Sequence, residues 1–142
     1  MNITDLSRHA SITAERVAPR RALVVDDEAL IRWSVAETLT TLGMEVEQAA
    51  TAAATLDLIA AATSPFDVVV LDLRLPDMND LSLLGRIRER WPSAVVVLMT
   101  AFGTPEIIAE AMSIGVHGVL NKPFELEALT RLLAPPGETT TS

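Results

Sequence analysis

The sequence predicts an α/β protein with a doubly wound parallel sheet covered by helices on both faces. Three observations carry this. Short aliphatic runs alternate with amphipathic stretches from residue 22 to residue 133, which is the pattern that strand–helix–strand crossovers leave in a chain. The 142 residues are 49% hydrophobic and 21% charged, enough apolar mass for one domain with a sizeable core. Aromatic residues are only 4% and Tyr is absent, so the core is aliphatic and suits helices on a Val/Leu/Ile sheet better than a β-sandwich.

The elements follow in order. Ala22–Val25 reads as a strand, and Ala29–Leu42 as a helix whose Ile31, Val35, Leu39 and Leu42 recur at helical spacing. Gly43 closes it at the C′ position, where a left-handed conformation is needed. Met44–Ala49 is a weaker strand in which Glu45 and Glu47 alternate with apolar residues, as on an edge. Thr51–Ala61 is an alanine-rich helix, Val68–Leu71 a buried strand, Leu81–Arg90 a helix and Ala94–Met99 another buried strand. Thr104-Pro105-Glu106 supplies an N-cap, an N1 proline and a first-turn acid for a helix ending at Ile114 and Gly115. A short strand at Val119–Leu120 and a helix at Glu125–Leu133 complete the set. Residues 1–20 read as a mobile N-terminal arm, 21–134 as the folded domain, and the PPGETTTS segment 135–142 as a disordered tail.

Composition excludes several functions. A formal charge of -8 repels phosphate backbones, so direct nucleic-acid binding is not expected. Cysteine is absent, which removes disulfide scaffolds, thiolate zinc sites and cysteine nucleophiles. No segment has the apolar length of a membrane span or signal-peptide core, and a soluble cytoplasmic protein is the expectation.

Five strands separated by helices fit the flavodoxin-like (βα)5 arrangement with strand order 2-1-3-4-5, in which the functional crevice lies outside the carboxyl ends of the strands. Those ends carry Asp26-Asp27, Asp72, Thr100-Ala101 and Lys122-Pro123 on the first, third, fourth and fifth strands. Taken singly, each has an ordinary reading: a helix N-cap, a turn hydroxyl, a loop lysine. Together they converge three carboxylates, a hydroxyl and an ammonium. An aspartate closing the apolar run VVVL at Asp72 needs a cation beside it. Clustered carboxylates without His or Cys suit a hard cation, Mg²⁺ in particular. Lysine and a hydroxyl beside a backbone amide suit phosphate oxygens. The set therefore fits phosphoryl transfer to a carboxylate. There is no G-x-x-x-x-G-K-[ST] loop and no G-x-G-x-x-G after the first strand, so the phosphoryl donor is not a nucleotide cradled by such a loop.

These residues resemble the receiver domain of two-component response regulators. The motifs are VVDDE (24–28), VVVLDLRLPDM (68–78), VLMTAFG (97–103) and HGVLNKPFEL (117–126), and they span residues 21 to about 133. The wording IRWSV and AFGTPEIIAEAMSIGVHGVLNKPFE is nearest to receivers of the nitrogen-regulator type, which usually precede ATPase and DNA-binding domains. The resemblance implies that Asp72 is the phosphoacceptor. It implies that Asp27, Asp72 and the backbone carbonyl of Arg74 ligate Mg²⁺, with Asp26 acting mainly through water. It also implies that Thr100, Ala101 and Lys122 contact the phosphoryl group and that the Lys122–Pro123 bond is cis. Two positions depart from the pattern. Asp80 stands where a glycine is usual, and either takes a left-handed turn or caps the following helix. Val119 replaces the Tyr or Phe whose ring moves on activation.

The expected function is a phosphorylation-controlled interaction module. A sensor histidine kinase or histidine phosphotransfer protein would donate to Asp72, and a downstream protein or a second copy would bind the altered face. The protein would be no enzyme beyond its own Mg²⁺-dependent aspartyl phosphorylation and slow dephosphorylation. A phosphorelay intermediate or phosphate sink fits the same residues. A haloacid-dehalogenase-type phosphatase needs a second Asp two positions after the nucleophile, where this chain has Arg74. Two surfaces stand out for partners. Ile107, Ile108, Ala111, Met112 and Ile114 cover about 160° of a helix at 100° per residue, either as core or, with Val119, as a partner face. Trp33 lies opposite the buried stripe of the first helix, where it either packs under the N-terminal arm or docks the phosphodonor.

Overall fold

The computed structural model describes residues 20–134. Five parallel strands, β1 (Arg21–Val25), β2 (Glu45–Ala49), β3 (Val68–Asp72), β4 (Val95–Thr100) and β5 (Gly118–Asn121), form one sheet in the order β2-β1-β3-β4-β5. The helices are α1 (Ala29–Thr41), α2 (Ala52–Ala61), α3 (Ser82–Arg90), α4 (Pro105–Ile114) and α5 (Leu126–Leu133). This is the doubly wound arrangement expected from the sequence. Of the arm expected over residues 1–20 and the tail expected over 135–142, residues 1–19 and 135–142 lie outside the described residues. The Arg20 carbonyl accepts a hydrogen bond from Glu45 N, next to the β1–β2 ladder.

Side-chain alternation divides the core in two. Leu23, Val25, Val69, Leu71, Val96 and Leu98 face α2, α3 and α4 and meet Ile59, Leu84, Ile87 and Ala111. Ala22, Val24, Val68, Val70, Val97 and Met99 face α1 and α5 and meet Val35, Leu39 and Leu129. Each fully buried Val or Leu contributes about 1.5–3 kcal/mol of transfer free energy, so this alternation fixes the register of every strand. β2 pairs only with β1 and exposes Glu45 and Glu47, which keeps the edge polar.

Termination signals behave as the sequence indicates. Thr104 accepts from Ile107 N with Pro105 next in line, and Gly115 ends α4 at φ +119°; Gly43 takes φ +92° after α1. Leu42 is a correction: it is 44% exposed, because α1 ends at Thr41 and Leu42 is already its C-cap, so Ala36 rather than Leu42 completes the buried face. Gly118 has a packing reason. A Cβ there would lie 2.8 Å from Leu132 Cδ2, so the missing side chain lets α5 close on β5.

Candidate functional site

The parallel register builds the site before any side chain is considered. Val25 is paired with Leu71, so Asp26 and Asp72 follow at the same level on adjacent strands. By alternation both continue the row facing α1 and α5. Asp72 pairs with Met99, Thr100 with Asn121, and Lys122 N donates to Thr100 O at 2.8 Å. All the strand-end residues singled out in the sequence therefore lie at one edge of the sheet. The Lys122–Pro123 peptide bond is cis.

Carboxylate oxygens of Asp26, Asp27 and Asp72 lie within 4.8 Å of one another. Asp26 and Asp72 are buried, while Asp27 is exposed. Lys122 Nζ sits 3.1 Å from Asp72 Oδ2 and 3.0 Å from Glu28 Oε1, both as hydrogen bonds. It is also 2.9 Å from Asp26 Oδ2, an ion pair closer than either of these. Asp26 Oδ1 accepts from Glu28 N at 2.7 Å and Asp72 Oδ1 from Arg74 N at 3.1 Å.

The electrostatics follow from this crowding. Burial pushes the Asp72 carboxyl above its ordinary range and the charge on Asp26 adds to the effect, while the Arg74 amide and Lys122 act against it. For Lys122 burial works against the ammonium, yet Asp26, Glu28 and Asp72 outweigh it and hold the pKa above the usual lysine value.

Two buried carboxylates with one lysine between them, and a third beside them, leave the cluster with excess negative charge. The donor set is all oxygen, and two of its three carboxylates are buried. A hard divalent cation such as Mg²⁺ fits such a set. A cavity of about 320 Å³ opens over it, lined by Asp27, Glu28, Asp72, Arg74, Ala101, Phe102 and Lys122. The Arg74 guanidinium lies 5.4 Å from the centroid of the Phe102 ring, which is 72% exposed, so the two side chains lean together at the mouth. Thr100 is fully buried, and its hydroxyl accepts from Phe102 N at 3.2 Å, which is also the ordinary turn reading of that hydroxyl.

The residues expected to face partners lie elsewhere. Trp33 is 58% exposed on α1, on the side away from the sheet as the helical spacing predicts. In α4 only Ala111 is buried; Ile107 and Ile114 pack partly on the core, Ile108 is half-buried and Met112 is 51% exposed. Val119 is half-buried against the same core. The α4 face is thus part core and part surface.

Several features escaped the sequence reading. Glu28 reaches Lys122, although an acid at the start of a helix ordinarily reads as macrodipole charge. Asp77 binds the first two amides of α2, Ala52 N at 2.8 Å and Ala53 N at 2.9 Å, which the LPDM motif marks without revealing its partner. Asp80, by contrast, takes the second of its two expected readings: its carboxylate accepts from Ser82 N at the start of α3. An apolar groove of about 270 Å³ runs between α1 and the loop after β5, lined by Leu30, Ile31, Ser34, Val35, Phe124 and Leu126, with Lys122 and Pro123 at its end.

Comparison with known proteins agrees with this geometry. The response regulator protein FleR of Pseudomonas aeruginosa is 38% identical over 114 residues, covering 80% of this chain and 24% of FleR. The DNA-binding transcriptional regulator NtrC of Escherichia coli K12 is 33% identical over 110 residues, covering 78% of this chain and 23% of NtrC. The chain thus spans about a quarter of the length of these relatives. A response regulator from Burkholderia pseudomallei, solved with a phosphorylated aspartic acid, calcium ion and citrate, superposes with a TM-score of 0.72 at 27% identity, covering 81% of this chain and 66% of that one. The model of the response regulator receiver domain matches residues 22–134. With the sheet order, the edge-clustered carboxylates and that match over most of its length, the chain belongs to the response regulator receiver domain family.

Proposed function

We propose that residues 21–134 form a receiver that accepts a phosphoryl group on Asp72 from a histidine kinase or a histidine phosphotransfer protein and changes partner binding in response. One observation carries the reading. Asp72 is buried at the carboxyl edge of the sheet, level with Asp26, bonded to Lys122 at 3.1 Å, and still reachable from a cavity of about 320 Å³. A buried, cation-bound carboxylate open to one small cavity is placed for nucleophilic attack and for little else.

Asp27, Asp72 and the backbone carbonyl of Arg74 would hold Mg²⁺, with Asp26 in support through water. When bound, the ion offsets charge on the carboxylates and on the transferring phosphoryl oxygens. The chain's own groups do the remainder. Asp72, kept ionised, attacks phosphorus in line, and its bond to phosphorus forms as the donor's P–N or P–O bond breaks. The Lys122 ammonium meets the equatorial oxygens, and the Thr100 hydroxyl and Ala101 amide take a further oxygen. Arg74 and Phe102, leaning together at the mouth, shield the acyl phosphate from water, so self-catalysed dephosphorylation is slow. The phosphorylated aspartate in the Burkholderia structure supports this chemistry on the same fold.

The partner assignments follow. Trp33, on the outward face of α1, docks the phosphodonor. Met112, with Ile107, Ile108 and Val119 behind it, forms the face whose partner, a downstream protein or a second copy, responds to phosphorylation. Among the described residues no helix is long and apolar enough to cross a membrane, and the cytoplasm, where such donors work, is the proposed location. The test is incubation with acetyl phosphate and Mg²⁺. A phosphate-sized mass gain that is lost on chelation and in Asp72→Ala supports the reading, and labelling that survives either sinks it.

A further inference from the structure

Glu28 stands outside the metal-ligand set, yet we infer that it is a positioning residue: it competes with the incoming phosphoryl group for the Lys122 ammonium and so holds down the rate at which Asp72 is phosphorylated. This rests on Asp72 being the phosphoacceptor.

Lys122 Nζ makes two aligned hydrogen bonds, to Glu28 Oε1 at 3.0 Å and to Asp72 Oδ2 at 3.1 Å. Asp26 Oδ2 lies nearer still, 2.9 Å away, as an ion pair. An ammonium has three donors and three acid oxygens lie within 3.1 Å of this one, so a phosphoryl oxygen bound tightly by Lys122 has to draw the head group away from one of these acids. Asp26 and Asp72 are buried, whereas the Glu28 side chain is 58% exposed. Glu28 is therefore the partner whose release costs least, since water replaces the lysine.

Among the described residues nothing else occupies the Glu28 side chain. It is the N-cap residue of α1, but its carboxylate caps no amide. The neighbouring Arg32 is spent on Asp26 O and Gln48 Oε1. Glu28 also lines the cavity that a donor must enter. When acetyl phosphate reacts there, an Asp72 oxygen bonds to phosphorus, the bond from phosphorus to the acetate oxygen breaks, and acetate leaves with the electron pair. The phosphoryl charge ends on the Asp72 side of the cavity. Lys122 has to follow it, and Glu28 holds the ammonium back.

The experiment is a double-mutant cycle between Glu28→Gln and Lys122→Ala, read twice. One readout is the rate of mass gain with acetyl phosphate in saturating Mg²⁺. The other is the affinity for beryllofluoride, which needs no turnover. In the parent background Glu28→Gln should raise both by about two- to fivefold, the range of an exposed ion pair, and in the Lys122→Ala background it should change neither. No change or a decrease in the parent background would overturn the inference. An equal rise in both backgrounds would overturn it too, because Glu28 would then act by its general field rather than through Lys122. Absence of any mass gain in the parent protein falls instead on the phosphoacceptor reading, and the beryllofluoride affinities still decide the role of Glu28.

Discussion

Replacing Asp72 by Asn should stabilise the metal-free protein at neutral pH. At an effective dielectric of about 20, the ammonium at 3.1 Å favours charge on Asp72 by about 5 kcal/mol, whereas a carboxylate within 4.8 Å opposes it by about 3.5 kcal/mol. Two such carboxylates, Asp26 and Asp27, exceed the single lysine by about 2 kcal/mol, before the cost of burying Asp72 is added. The amide is nearly the same size and keeps an oxygen to accept from Arg74 N. Asp72→Asn should therefore raise the unfolding free energy in EDTA by about 2 kcal/mol, or Tm by about 5–10 °C for a domain of this size.

The pH dependence has a definite sign. Asp72 is raised above 3.8 in the folded protein, so its charge destabilises the fold above the folded pKa and ceases to matter as the group protonates. The advantage of Asp72→Asn should be full above that raised pKa and shrink as pH falls through it towards 3.8. Mg²⁺ should reverse the ranking, because a cation at about 100 times its Kd adds about 2.7 kcal/mol to the protein that retains all three carboxylates. The assay is denaturant or thermal unfolding by circular dichroism at several pH values, in EDTA and in Mg²⁺. A variant less stable than the parent in EDTA at pH 7, or an advantage that does not narrow on acidification, would contradict this charge balance.

Changing Arg74 and Phe102 together to small polar residues should speed hydrolysis of the phosphorylated form by about tenfold, or about 1.4 kcal/mol of barrier; an unchanged half-life removes the shielding role. Trp33→Ala should leave labelling by acetyl phosphate nearly intact but slow transfer from a phosphohistidine donor by about thirtyfold, the loss expected of a strong interface residue. Equal slowing of both reactions would mean that Trp33 supports the fold, and no slowing of either would take it off the docking surface. Beryllofluoride should alter hydrogen-exchange protection along α4 around Met112, and an unchanged α4 counts against that face as the responsive one.

Much of this protein was legible before folding. The elements, the two-faced core and the strand-end residues Asp26, Asp72, Thr100 and Lys122 depend on periodicity of two or 3.6 residues and on chain direction, which are local properties; the strand order is not local and came with the flavodoxin-like fold that those elements fit. The caps at Thr104 and Gly115 are local too, since each acts within a turn of its own helix. What the sequence left undecided involves partners distant along the chain. Asp77 binds amides 24 and 25 residues before it, and Glu28 meets a lysine 94 residues away. Neither spacing leaves a period to detect. Whether Met112 faced the core or solvent, and which acids pressed against Lys122, depended on how α4 and β5 settled against the sheet. Periodicity states which side of an element is apolar. How far that side is covered, and which charges are pressed together at its end, is set only when separate elements pack, because burial and Coulomb energy depend on distances in space rather than on spacing in the chain.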